Sequence, residues 1–176
     1  MMVKIATAEC FTHGNVGREI HAFSRGYPRT YAWTLDPEKF TLSLSAGLFL
    51  PTLTGVRSIL RIEPHPPVET LNDIKVYDQE SDEVMAVRMA TAIKNITGSD
   101  IGIGTTAGIG KGGIALVSDS VKLLSTSNVY ADLRSADPSQ ILMRQKSGIE
   151  KTLMLLERLL NDDFPAEADA GITKID

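Results

Sequence analysis

The sequence predicts an α/β domain, a three-layer α/β/α sandwich with a mainly parallel sheet. Three observations predict it. Short β-leaning runs alternate along the chain with amphipathic helical patterns. The apolar and charged fractions, 43% and 23% of 176 residues, are those of a globular chain long enough to bury its own core. No repeat or linker divides the chain, so residues 1–162 are expected to form one domain. Residues 163–176, acidic and rich in small side chains, are expected to form a flexible C-terminal tail.

Residues 3–8 (VKIATA) read as a strand ending in small residues. Turn and capping types follow in Glu9-Cys10-Phe11-Thr12-His13-Gly14-Asn15, after which Val16, Ile20 and Phe23 fall at helical spacing. Asn15 is the expected N-cap, and Gly26-Tyr27-Pro28 the stop. Residues 40–44 (FTLSL) alternate like a half-buried strand; 56–62 (VRSILRI) and 71–77 are further strand candidates. Pro51, Pro64, Pro66 and Pro67 interrupt regular structure between them.

Ser81-Asp82-Glu83 offers an N-cap with two acids in the first turn of a helix. Its apolar stripe is Val84, Val87, Ala90, Ile93 and Ile96, and Gly98 stops it. Residues 100–106 look like a strand, 107–113 like a glycine-rich loop, and 114–118 and 121–124 like two more strands. Pro138 suits the first turn of a last helix reaching about residue 160. Ile149, Leu153, Leu156 and Leu160 share one face of it. Arg144, Lys146, Glu150, Lys151, Glu157 and Arg158 are expected on its solvated side.

Charge and composition exclude several function classes. Net charge is −4 and the basic residues are scattered, so no duplex nucleic acid partner is expected. No apolar run approaches the roughly 20 residues that cross a bilayer, and no signal peptide is apparent. One cysteine cannot form an internal disulfide, which suits a reducing cytoplasm. His13, His21 and His65 do not fall at a metal-binding spacing, so no metal is expected.

Ligands of such folds gather at the carboxyl ends of strands. Two loops have that location, 9–15 and 105–113, and they are expected to share one rim of the sheet. In the first, Cys10 sits just ahead of a helix N-terminus, whose partial positive charge and free N–H groups would assist a nucleophilic thiolate. His13 offers a cation or a base, and Thr12 with the backbone around Gly14 would stabilise an oxyanion. The alternative is that Cys10 is simply a small buried hydrophobe. In the second loop, Gly108, Gly110 and Gly113 satisfy G-x-G-x-x-G, but a strand follows where a dinucleotide fingerprint requires a helix. Lys111 is followed by Gly112, so the P-loop pattern fails too. The loop is either an anion-binding set of backbone donors with one lysine or a plain turn.

The run Lys4-Ile5-Ala6-Thr7-Ala8-Glu9-Cys10-Phe11-Thr12-His13-Gly14 closely resembles the start of the HcgF family of iron-guanylylpyridinol (FeGP) cofactor biosynthesis in methanogens. The likeness extends to about Leu160. More distantly the chain resembles the C-terminal domain of CinA, a nicotinamide mononucleotide amidohydrolase. That family reads Ala-Glu-Ser-Cys-Thr-Gly-Gly at residues 8–14, carries a Ser-Glu-Glu-Val matched by Ser81-Asp82-Glu83-Val84, and has a Thr-Gly-Ile-Ala-Gly loop echoed at 106–110. The resemblance implies a CinA-like fold. The amidohydrolase serine falls on Cys10, so a hydroxyl nucleophile is replaced by a thiol suited to acyl transfer.

The HcgF resemblance implies a thioester-forming enzyme of [Fe]-hydrogenase cofactor assembly. Cys10 would take the carboxyl group of guanylylpyridinol, a nucleotide-like small molecule, after a partner enzyme has adenylated it. Thr12 and His13 would assist at the catalytic centre. Glu9, Gly14, Thr105, Thr106, Gly108, Gly110 and Lys111 would bind the ligand, with no tightly bound cofactor. The alternatives are amidohydrolysis of a pyridine mononucleotide and non-catalytic carriage of a guanylylated intermediate. The apolar last helix is compatible with a homo-oligomer.

Overall fold

The computed structural model describes residues 1–135, 137–163 and 171–175. Its first strand, β1 (Met2–Glu9), is buried on both faces from Ile5 onward, which accounts for its run of small and apolar residues. β1 pairs in parallel with β2 (Thr41–Phe49) on one side and β5 (Ile101–Thr106) on the other. From β5 the sheet continues antiparallel through β7 (Gly113–Val117), β8 (Lys122–Ser125) and β10 (Ile172–Ile175). The order is β10-β8-β7-β5-β1-β2. Two small antiparallel pairs, β3 (Glu69–Leu71) with β4 (Ile74–Val76) and β6 (Ile109–Gly110) with β9 (Ala131–Asp132), complete the strands.

The α/β sandwich is as expected, but the sheet is mixed, with parallel pairing only around β1. The cause is the connection at 107–112. A parallel return needs a crossover of a dozen or more residues, and this link is too short, so β7 must run back against β5.

Helices α1 (Asn15–Arg25) and α4 (Pro138–Asn161) cover one face. There Val16, Ile20, Phe23, Leu153 and Leu156 meet Ile5, Ile103 and Ile114. Helix α3 (Gln79–Thr97) covers the other, where Met85, Met89 and Ile93 meet Ala6 and Ala8. A short helix, α2 (Leu53–Gly55), runs into a π-helical turn (Val56–Leu60) on that same side.

The contact of α3 with β5 depends on absent side chains. A Cβ built on Gly104 would lie 2.1 Å from the Ala86 carbonyl oxygen and 2.7 Å from the Ala90 nitrogen; Gly102 meets Ala90 in the same way. The obstacle is helix backbone, which cannot swing aside. Gly104→Ala is therefore expected to cost about 3 kcal/mol by overpacking. In a domain of this size that lowers Tm by roughly 6–12 °C, measurable by thermal unfolding.

Several local expectations are corrected. Residues 56–62 are helical rather than extended, because Val56 and Leu60 enter the core one turn apart and the Thr52 side chain caps the preceding turn. Residues 71–77 hold a tight turn: Asn72 and Asp73 both have positive φ (51° and 67°), which divides β3 from β4. The α3 N-cap is Asp78, whose side chain accepts from the Ser81 N–H, so the helix starts earlier than predicted. Val84 and Ile96 are exposed, and the buried stripe runs instead through Met85, Met89 and Ile93. Residues 172–175, expected in a loose tail, pair with β8; 164–170 lie outside the described residues.

Candidate active site

Cys10 directly follows the last residue of β1, the central parallel strand. Its N–H donates to the Thr105 carbonyl at 2.8 Å, with the Thr105 hydroxyl also at 3.3 Å. This bond joins the ends of β1 and β5, so the 9–15 and 105–113 loops do meet on one rim. Cys10 is 7% exposed.

The turn after Cys10 is built to start α1. His13 N–H donates to the Cys10 carbonyl, and Asn15 N–H and side-chain amide both donate to the Thr12 carbonyl. Gly14, not Asn15, is the N-cap; its φ of 79° suits glycine, and it has no side chain to cap with. Glu9 does that work from the neighbouring strand. Its fully buried carboxylate accepts from Val16 N–H (3.1 Å) and Gly17 N–H (2.8 Å), and from the hydroxyls of Thr7 (2.8 Å) and Thr12 (2.6 Å). A carboxylate at a helix N-terminus is favoured by both dipole and free donors. With four donors spent on it, Glu9 positions the loop and leaves nothing to hold a ligand. Thr12 is likewise buried and bonded, to Glu9 and to the Thr105 hydroxyl at 2.8 Å. It fixes the loop, as does Thr105.

His13 is exposed, has a positive φ of 53°, and sets its ring 4.8 Å from that of Phe49 at the end of β2. Partial burial lowers its pKa below the ordinary value, with the charge of Glu9 only partly opposing this. Of the two roles expected for His13, the neutral base fits neutral pH and the cation does not. Phe49 was not foreseen at the rim.

The glycine-rich loop does not have the open cradle expected of it. Gly108 N–H donates to Asp82 (2.7 Å), Ile109 N–H to the Tyr77 carbonyl (2.7 Å) and Lys111 N–H to the Gln79 side chain (2.8 Å). Gly108 is a glycine because a Cβ there would lie 2.4 Å from Tyr77 backbone atoms. Gly110 is buried beneath Gln79. Thr106 is buried and its hydroxyl donates to Asp82 at 3.1 Å. Donors already engaged cannot bind an anion, so the loop is a packing device; the Lys111 residue is its exposed point.

Two buried charges beside this loop escaped the sequence reading. Asp82, expected only as an acid of the first turn of its helix, is fully buried, and burial pushes its pKa up to about 7 despite the hydrogen bonds from Gly108 and Thr106. A carboxyl raised in the folded state stabilises the fold most below its unfolded pKa near 4, and that contribution is lost as pH rises through 7. Asp82→Asn is therefore expected to flatten the fall in stability between pH 5 and 8 by about 2 kcal/mol, read by urea unfolding across that range.

Arg144, expected on the solvated side of α4, is 1% exposed. Its Nη1 donates to the carbonyls of Gly108 (3.0 Å), Gly110 (2.9 Å) and Ala131 (2.8 Å), while its Nε has no partner. Burial lowers its pKa, against which Asp82 and then Cys10 act to hold its charge. The guanidinium carbon lies 6.0 Å from the Phe11 ring centre. Glu157 is buried as well, accepting from Tyr31, Thr34 and Leu35 and so tying 31–35 to α4. The site thus places a thiol at a strand end, ahead of a helix N-terminus and within the field of a buried guanidinium.

The model of the family described as "FeGP cofactor biosynthesis protein HcgF" matches residues 2–160. The chain belongs to the HcgF family. A UPF0254 protein of Methanothermobacter thermautotrophicus is 56% identical to it over 159 residues, covering 90% of this chain and 99% of that one. A UPF0254 protein of Methanocorpusculum labreanum is 48% identical, covering 93% and 96%. Among solved structures, the competence damage-inducible protein A of Klebsiella pneumoniae superposes with a TM-score of 0.55 at 16% identity, covering 92% of this chain and 89% of that one. That likeness establishes a CinA-like fold for this HcgF-family chain. Membership in the family places the chain among the proteins of FeGP cofactor biosynthesis. Among the described residues, no helix is long and apolar enough to cross a membrane.

Proposed function

We propose that this HcgF-family chain takes the carboxyl group of guanylylpyridinol onto Cys10 as a thioester. The substrate is the acyl adenylate made by a partner enzyme. The Cys10 thiolate attacks the acyl carbon, a C–S bond forms, the C–O bond to the adenylate breaks, and AMP leaves with the electron pair. The observation that carries this reading is the position of the chain's sole cysteine at the carboxyl end of β1, immediately before α1. The donors at the N-terminal end of α1 are engaged by Glu9, so the buried Arg144 guanidinium, which is electrostatically coupled to Cys10, is the group that supplies positive potential as negative charge gathers on sulfur. His13, neutral at pH 7, is the histidine nearest in sequence to Cys10 and is offered as its base. Glu9, Thr12 and Thr105 keep the nucleophile's loop in one conformation.

The reading is tested by supplying the protein with guanylylpyridinol, ATP and the adenylating partner and following AMP. Release of about one AMP per chain in a burst is expected. No acceleration of AMP release over the partner alone would contradict it. Ammonia release from nicotinamide mononucleotide, dependent on Cys10, would point to an amidohydrolase instead.

A further inference from the structure

Two buried charges grip one residue of the loop beside the thiol. Asp82, on α3, accepts the Gly108 N–H at 2.7 Å; Arg144, on α4, donates to the Gly108 carbonyl at 3.0 Å. The carboxyl group and the guanidinium therefore reach the same residue from helices on opposite faces of the sheet. Among the described residues, neither takes part in a direct ion pair. The other donor to Asp82 is the Thr106 hydroxyl, and the other acceptors of Arg144 are backbone carbonyls. Cys10 shares this neighbourhood. Its N–H is held by Thr105, the residue before Thr106. Phe11, the residue after it, packs on Gly148, one turn along α4 from Arg144; a Cβ there would lie 2.3 Å from the ring. The charges of Asp82 and Cys10 both act on Arg144, and both act on Tyr77.

Burial opposes ionisation of Asp82, which titrates near neutrality, whereas a guanidinium keeps its proton across this range. The pair is therefore net positive below pH 7 and electrically neutral well above it. The other groups facing it do not make that change. Lys75 acts on Asp82 from β4, where its ammonium donates to the Leu50 and Pro51 carbonyls. Asp132 of β9 acts on Arg144 and is held down at about 2 by Arg134. Tyr130 also faces Arg144, and burial pushes the Tyr77 phenol well above its ordinary value. His13, in the turn after Cys10, is lowered by partial burial and loses its proton before Asp82 does.

We propose that Asp82 is a positioning residue for Cys10, its proton deciding whether the Arg144 charge is felt at the thiol or cancelled. With the carboxyl group neutral, the guanidinium field favours the thiolate. With the carboxylate ionised, an opposite charge offsets that field and the thiolate loses its support. The two titrations are thus linked, and neither group ionises independently of the other. The inference rests on reading Cys10 as the nucleophile and deepens it, but it needs no particular acyl substrate.

The experiment follows alkylation of the sole cysteine by iodoacetamide, read as intact mass, from about pH 5.5 to 8.5. It compares the full chain with Asp82→Asn, whose amide fills the same space without the charge, and with Asp82→Ala. The wild-type and asparagine rates are expected to agree at the acid end. Above pH 7 they should diverge, the variant reacting up to about tenfold faster, the scale of one buried charge acting on another. The wild-type rate alone should rise by well under tenfold per pH unit between about pH 6 and 8, then steepen again. Asp82→Ala should follow Asp82→Asn. Coincident profiles, or a difference between them that is the same at every pH, would overturn the proposal, the latter marking a change of access rather than of charge. Should both variants fail to fold, a wild-type rate that rises without the break near pH 7 overturns it. Iodoacetamide carries no acyl adenylate, so the two readings fail separately. A pH-dependent divergence without thioester formation would count against acyl transfer alone, and thioester formation with coincident profiles against Asp82 alone.

Discussion

Cys10→Ala is expected to abolish acyl uptake from the guanylylpyridinol adenylate and leave the fold nearly unchanged. The chain has no second thiol, so no other sulfur can accept the group. The Cys10 N–H ties the ends of β1 and β5 and its carbonyl accepts from His13 in the following turn, bonds that alanine retains. Only one small buried atom is lost, at a cost of about 1 kcal/mol. Cys10→Ser places a hydroxyl at the same point and should react far more slowly, since an alcohol is almost wholly protonated at neutral pH. Residual AMP release at the wild-type rate in Cys10→Ala would remove the nucleophile from the account. The measurement pairs AMP release with a thermal melt, so a lost activity is not mistaken for a lost fold.

Glu9→Gln is expected to destabilise the protein although the side chains are nearly the same shape. Each carboxylate oxygen of Glu9 accepts one hydroxyl and one backbone N–H: Oε1 from Thr7 and Gly17, Oε2 from Thr12 and Val16. Whichever way a glutamine amide is turned, its NH2 faces one backbone donor. A hydroxyl can rotate to accept from it, but an N–H cannot. One donor of the α1 N-terminus is then buried without a partner, costing about 2 kcal/mol, and Glu9→Ala, which strands all four, on the order of 4 kcal/mol. Corresponding Tm losses are roughly 4–8 °C and 8–16 °C. Acyl uptake should fall in the glutamine variant below its melting range, because the turn carrying Cys10 is what the carboxylate fixes. Equal stability of Glu9→Gln and wild type would show that the carboxylate is dispensable.

The position of Cys10 was legible because three independent local signals coincide there: an apolar run, a cluster of turn residues and a helical period. The buried charged residues around the site were not legible for a single reason. A periodic pattern treats every charge as solvated, and here Asp82, Arg144 and Glu157 are buried. Arg144 did leave a trace. It falls at four-residue spacing with Gly148 and Thr152, both buried, so a stripe drawn through small residues as well as large ones passes through it. The antiparallel turn after β5 was countable from the chain, since 107–112 leave no room for a crossover helix. The glycine motif misled because glycine serves close backbone packing as readily as anion binding. Gly108 lies against Tyr77, and that neighbour is distant in sequence. The helical turn at 56–60 was hidden by the β-branched Val56 and Ile59, and the i, i+4 burial of Val56 and Leu60 became evident only against the core.

The acyl transfer is tested most directly by the intact mass of the protein after incubation with guanylylpyridinol, ATP and the adenylating enzyme. A gain of one guanylylpyridinol less one water, mapped to the peptide carrying Cys10 and removed by hydroxylamine, is the predicted result. An unchanged mass while the partner is demonstrably making the adenylate, or a stable adduct on any other residue, would contradict it.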